Sequence, residues 1–242
     1  MNPGDVLQWF ADTPDIGEKL LEHVRLSFAP VLAALVIALP AGLYIGHARR
    51  FEFTTVSIAN LGRALPSFAI LALALPLSIR FGLGLGFWPT FAALFFLSLP
   101  PILVNTYIGV KGVDADVLEA ARGMGLSGMQ VLRDIEVPLA APLIVAGVRT
   151  AAVQSVATAT LAALVAGGGL GDYIRLGFRA NRDEMLLGGA ILVAILALAT
   201  ELGMALVQKG ARPRTGSPKV PSVVEPIDEI AQAERERDRS LA

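Results

Sequence analysis

The sequence has no cysteine, two histidines and few charges: 17% of its 242 residues are Asp, Glu, Lys or Arg, against about 25% in soluble domains. Without cysteine there is neither a disulfide framework nor a thiolate metal site. His23 and His47 stand far apart and no carboxylate pair shares a depth, so no metal site or hydrolytic machinery is expected. A net charge of −1 with no sizeable basic cluster gives no footing for nucleic acid. The shortage of charge is also uneven, because 13 of the 41 charged side chains fall in residues 209–242 and 28 serve the preceding 208.

What is present is apolar. Residues 26–46, 81–110 and 150–171 form runs of 21, 30 and 22 residues without a formal charge, and about 20 helical residues cross a bilayer core of about 30 Å. Two further runs each hold one interior charge, Arg63 and Glu201. The expected fold is therefore an all-α polytopic membrane protein with about five spans, at 24–46, 54–78, 86–109, 142–166 and 185–207. Residues 1–19 read as a lead-in, 20–207 as the membrane domain and 208–242 as a largely disordered cytoplasmic tail. The first fifteen residues carry three acids and no base, unlike the basic start of a secretory signal, so the first span is read as uncleaved. Basic residues at the span ends favour an outer N-terminus and a cytoplasmic C-terminus, with Arg175, Arg179 and Arg182 weakening the bias.

Between the third and fourth spans lies a polar connection of about 33 residues, 110–141 within its flanks, long enough to have structure and a task. Asp116 with Glu119 has capping-box form, and Gly123 and Gly125 suit a left-handed helix end. Ser127 with Gln130 repeats the box, Leu126 is placed to staple onto Val131, and Pro138 should stop the second helix. The outcome would be a helix-turn-helix knob on the cytoplasmic face.

Glu119-Ala120-Ala121, then Gly125, then nine residues, then Ile135-Glu136-Val137-Pro138 resembles the EAA motif of ATP-binding-cassette (ABC) importer permeases. Val137 departs from the Leu usual there. The resemblance covers about residues 20–207. It implies that Glu119, Ala120, Ala121, Met124, Gly125, Leu126, Ile135 and Pro138 couple the chain to an ATPase subunit. The small alanines allow close approach, Gly125 allows a sharp reversal, and Glu119 offers a carboxylate to the partner or caps its own helix. Asn105-Thr106-Tyr107, Gly112-Val113-Asp114, the blocks 119–125, 147–151 and 157–162, and Gly168-Gly169-Leu170-Gly171-Asp172 are similar to the osmoprotectant branch. That likeness implies import of glycine betaine, choline, carnitine or proline betaine, quaternary ammonium compounds all. Methionine-type permeases share the five-helix core and parts of the pattern.

The family resemblance also implies the partners: two ATP-binding-cassette ATPase subunits carrying ATP-Mg, a second permease (the same or a sister chain), an extracytoplasmic solute-binding protein, and the bilayer of a bacterial inner membrane. The chain itself would bind no cofactor and catalyse no reaction. Gly167-Gly168-Gly169-Leu170-Gly171 lacks the Gly-Lys-Ser/Thr ending of a phosphate loop and reads instead as a flexible outer turn.

Charges within spans need partners. Arg149, about seven residues into the fourth span, and Glu201, about six into the fifth, share a depth near 10 Å at about 1.5 Å per residue and form a candidate ion pair, with Arg63 as competitor. This pair would fix helix packing or serve gating. Pro66, Pro76, Pro100 and Pro101 should interrupt spans. Ser67, Ser98, Asn105, Gln154 and Thr158 are candidates for a translocation path, or for helix packing and local hydrogen bonds. Phe91, Phe95 and Phe96 could form an aromatic cage, although phenylalanines so spaced usually face lipid. A membrane-embedded enzyme would need clustered acids or histidines, and an ATP-independent carrier would need no knob.

Overall fold

A computed structural model describes residues 3–49 and 66–211, which are helical with no strand among them. In chain order come α1 (Pro3–Asp12), α2 (Ile16–Ala48), α3 (Ser67–Arg80), α4 (Phe87–Lys111), α5 (Ala115–Gly123) and the single turn α6 (Gly128–Gln130). A π-helical turn, Val131–Glu136, leads into α7 (Val137–Thr158), which continues as a 3-10 helix, Ala159–Val165. The helices α8 (Gly171–Ala180) and α9 (Asp183–Gly210) follow. Among the described residues α2, α4 and α9 are long and apolar enough to cross a membrane, and α3 is apolar but shorter. Most of the expected span 54–78, with Arg63, and the tail from residue 212 lie outside the described residues.

The centre is made by α2, α4 and α7. Lipid tails are as apolar as leucine, so such helices are held by close packing at small residues and not by exclusion from water. Gly42 and Gly46 supply that on α2: a Cβ at either would lie 2.7 Å from the Cβ of Thr106 or Val110 on α4. Gly147 of α7 does the same against α4, where a Cβ would sit 2.6 Å from the Pro101 carbonyl oxygen. Val31, Ala34, Ala38, Ile102 and Ala151 fill the space between them. At one end of the bundle α1 lays Trp9 against Gly188 of α9 and edge-on to Tyr173 of α8, ring centroids 5.1 Å apart.

Several expectations are corrected. The segment expected as the fourth span, 142–166, falls on α7, which starts at Val137 and is not among the helices long and apolar enough to cross a membrane, and on the 3-10 helix after Thr158. A 3-10 helix eclipses residues three apart, which aligns the fully buried Ala159 and Ala162 on the seam against Leu26 and Leu94. The prolines do not break the spans. Pro66 precedes the first turn of α3, while Pro76, Pro100 and Pro101 lie inside continuous helices. Pro100 and Pro101 are buried against neighbouring helices, the setting in which membrane helices tolerate proline.

Replacing Gly147 by leucine should force α4 and α7 apart. A fall in thermal stability of the detergent-solubilised protein equivalent to about 1–3 kcal/mol is expected. Gly123→Ala, where a Cβ meets nothing within 4 Å, should not destabilise it.

Candidate functional site

The connection between α4 and α7 is a compact knob. Asp114, not Asp116, caps α5: its Oδ1 accepts the Asp116 N–H at 2.9 Å. Asp116 thereby enters the first turn, where its charge suits the helix dipole, and Glu119 is left exposed with no part in the cap. Gly123 stays helical and Gly125 alone makes the reversal, with φ +87°. The turn closes through Gly125 N–H to Arg122 O and Leu126 N–H to Ala121 O, a Schellman pattern. Ser127 and Gln130 form the reciprocal capping box, and Leu126 packs on a small core of Val113, Leu118, Ala121 and Val131.

Pro138 does not end the second helix. It stands in the first turn of α7, directly after a π turn that changes the winding where its ring meets the preceding residues. The knob therefore runs into α7 without a break. Ala121 is buried in the knob core and Ile135 packs on it, while Glu119, Ala120, Met124, Gly125 and Pro138 are exposed. Met124 and Met129 are exposed on the knob, at 73% and 71%.

The knob is tied to the end of α2 by a contact that the sequence does not announce. Glu136, only 1% exposed, places Oε2 at 2.5 Å from Nδ1 of His47. Beside it Arg49 Nη2 donates to the Val113 carbonyl at 3.3 Å. An acid between Ile135 and Val137 is a sign of burial with a partner, but a partner 89 residues away is visible only in the fold.

The far end of α2 holds the glycine loop. Glu22 Oε2 accepts the Gly169 N–H at 2.9 Å and the Lys19 ammonium at 3.0 Å, and Lys19 also donates to Asp172 at 3.1 Å. Gly168 and Gly169 both have φ +77°, which glycine alone adopts cheaply. The turn read as flexible is thus pinned at its backbone. Tyr173 donates to Asp15 Oδ1 at 2.8 Å. Burial, aided by that carboxylate, raises the phenol above its ordinary pKa, so it stays a neutral donor. Asp15, Lys19, Asp172 and Tyr173 border a cleft of about 680 Å³. The pairing of Lys19 with Asp172 and of Glu22 with Gly169 has no signal in the sequence, because the partners are 153 and 147 residues apart.

Arg149 and Glu201 do meet: Nε donates to Oε2 at 2.8 Å, with a second bond from Nη2 to Oε1. Gln208 extends the pair, accepting from Arg149 Nη1 at 2.9 Å and donating to the Pro142 carbonyl at 3.2 Å, which joins α7 to α9. The path candidates separate into two groups. Ser98 is fully buried, bonded to Leu94 O and Ser155 Oγ, and the half-buried Asn105 donates to Pro101 O within its own helix. On α7, Gln154 is exposed and Thr158 half-buried, in a stripe with exposed Thr150 and Ala157. Ser67 is half-buried in the first turn of α3. Phe91 and Phe95 stack on one helix with centroids 6.2 Å apart and do not form a cage.

The profile of the family "binding-protein-dependent transport system inner membrane component" matches residues 30–215. The chain belongs to this family. The glycine betaine/carnitine/choline transport system permease protein OpuCB of Bacillus subtilis is 39% identical over 196 residues, covering 81% of this chain and 88% of that protein. The choline transport system permease protein OpuBB of the same organism is 40% identical over 195 residues, with the same shares. In fold, the permease is similar to a chain of the inward-facing MetNI methionine ABC transporter, with TM-score 0.71 at 21% identity, covering 80% of this chain and 94% of the other.

For this permease, reversing the charge of either Arg149 or Glu201 should lower uptake by about tenfold or more, as an unpaired charge at membrane depth is costly. The double exchange, Arg149→Glu with Glu201→Arg, should restore it. Failure of that rescue would count against direct pairing.

Proposed function

We propose that this permease carries a quaternary ammonium osmoprotectant such as glycine betaine, choline, carnitine or proline betaine across the bacterial inner membrane, driven by ATP that partner subunits hydrolyse. The single observation behind the coupling role is the knob: a helix-turn-helix with a small core of its own, the EAA residues Glu119 and Ala120 exposed, and Met124 and Met129 exposed on it. Such a surface suits a cleft on an ATPase. The substrate class follows from identities of 39% and 40% with relatives named for choline, carnitine and glycine betaine transport. In support, the cleft at the end opposite the knob has Asp5, Asp12, Asp15, Asp172 and Glu184 on its walls against Lys19 and Arg182, a surplus of negative charge that favours a cation.

In this reading two ATPase subunits hold ATP-Mg, two permeases pair, and a solute-binding protein delivers substrate to the end where α1 and the glycine loop lie. That end is outside, together with the N-terminus, and the knob and C-terminus are cytoplasmic. The chain supplies no nucleotide site of its own. The Thr150, Gln154, Ala157 and Thr158 stripe of α7 turns toward the path between the two permeases, because an exposed amide is poorly placed against lipid.

Substituting Gly125 by aspartate tests the coupling role. At φ +87° a side chain strains the reversal by about 1–2 kcal/mol, and the added carboxylate sits beside Glu119 on the docking face. Uptake of labelled glycine betaine or choline should fall to background with the permease still in the membrane. An ATP-independent carrier would tolerate the change.

A further inference from the structure

Movement of the knob passes by chain continuity to α4 and α7, which enter and leave it. The third central helix, α2, has no such continuity, yet its end is joined to the knob through the Glu136–His47 contact and the Arg49 bond to Val113 O. A carboxylate that is 2% exposed at its side chain cannot lose its partner cheaply. The end of α2 must therefore follow the knob or hold it in place.

The other end of the same helix holds the glycine loop. Glu22 takes the Gly169 N–H, Lys19 bridges Glu22 and Asp172, and the fully buried His23 sets Nε2 at 2.9 Å from the Val156 carbonyl. Gly169 lies directly on His23: a Cβ there would come within 3.1 Å of Nδ1. The helix α2 is continuous over 33 residues, with Pro30 and Pro40 inside it, and the stretch from Glu22 to His47 is about 38 Å at 1.5 Å per residue.

We infer that α2 is a transmission rod: His47 and Glu136 position its inner end on the knob, Lys19 and Glu22 position its outer end on the glycine loop, and a displacement at one clasp is delivered to the other. This rests on the coupling role proposed above for the knob. It assigns work to four polar side chains, none of which touches ATP or need touch substrate; they are positioning residues. The rod is a physical element that both sites can bias, which a coupling claim requires.

The test uses the whole transporter in proteoliposomes, permease with its ATPase and binding protein, and reads substrate taken up per ATP hydrolysed, together with copurification of the ATPase subunit. E136A and E22A should each lower the uptake-to-hydrolysis ratio by about fivefold or more, the low end of ordinary coupling free energies, with the ATPase still bound. E136Q keeps an acceptor oxygen for His47 and should recover most of the loss. The double variant E22A/E136A should be no worse than the poorer single, as for two breaks in one rod. A ratio within about twofold of wild type for E22A, multiplied losses in the double variant, no recovery in E136Q, or loss of the ATPase from E136A would each overturn the inference. E22A sits far from the knob and reports even where E136A does not fold. A wild-type complex without ATPase or ATP-dependent uptake would instead overturn the function on which the rod depends.

Discussion

Helices that meet inside a membrane gain little from leaving the solvent, so their backbones must come close enough for dispersion to hold them. Everything else in this permease depends on three such approaches, at Gly42, Gly46 and Gly147, where the neighbouring helix occupies the space a side chain would need. They bind α2, α4 and α7 into one body. The knob grows from the ends of two of these helices and is fastened to the third by Glu136 and His47.

The same constraint sorts the polar residues. Where α4 and α7 touch, the Ser98 hydroxyl meets that of Ser155, and within α4 Asn105 donates to the Pro101 carbonyl. Charges at the bundle's edge are paired between helices, Arg149 with Glu201 and Gln208. What is left over is a polar stripe on the open face of α7 and a cleft rich in carboxylates at the end away from the knob.

Much of this is legible in the residues. The charge-free runs 26–46 and 81–110 fall largely in α2 and α4, whereas the run 150–171 crosses the end of α7, its 3-10 continuation and the glycine loop, and the Ser127 and Gln130 box is a local pattern that forms as read. Matching depths along two helices bring Arg149 to Glu201 because a helix rises by a constant amount per residue. The local readings that fail do so where geometry selects among near-equivalent residues: Asp114 takes the cap two positions before Asp116, and Pro138 follows a π turn without ending the helix. The clasps at the two ends of α2 are beyond the sequence for a different reason. Lys19 with Asp172, and His47 with Glu136, are 153 and 89 residues apart, and no periodicity links them.

The central claim is that this chain moves a quaternary ammonium solute only when an ATPase drives it through the knob. The most direct measurement is accumulation of labelled glycine betaine and choline in proteoliposomes holding the permease and its binding protein, with and without the ATPase subunit and ATP. Accumulation against a gradient that requires both the ATPase and ATP is the predicted result. Equal uptake in their absence, or no uptake of either solute while a thioether amino acid such as methionine is accumulated, would contradict it.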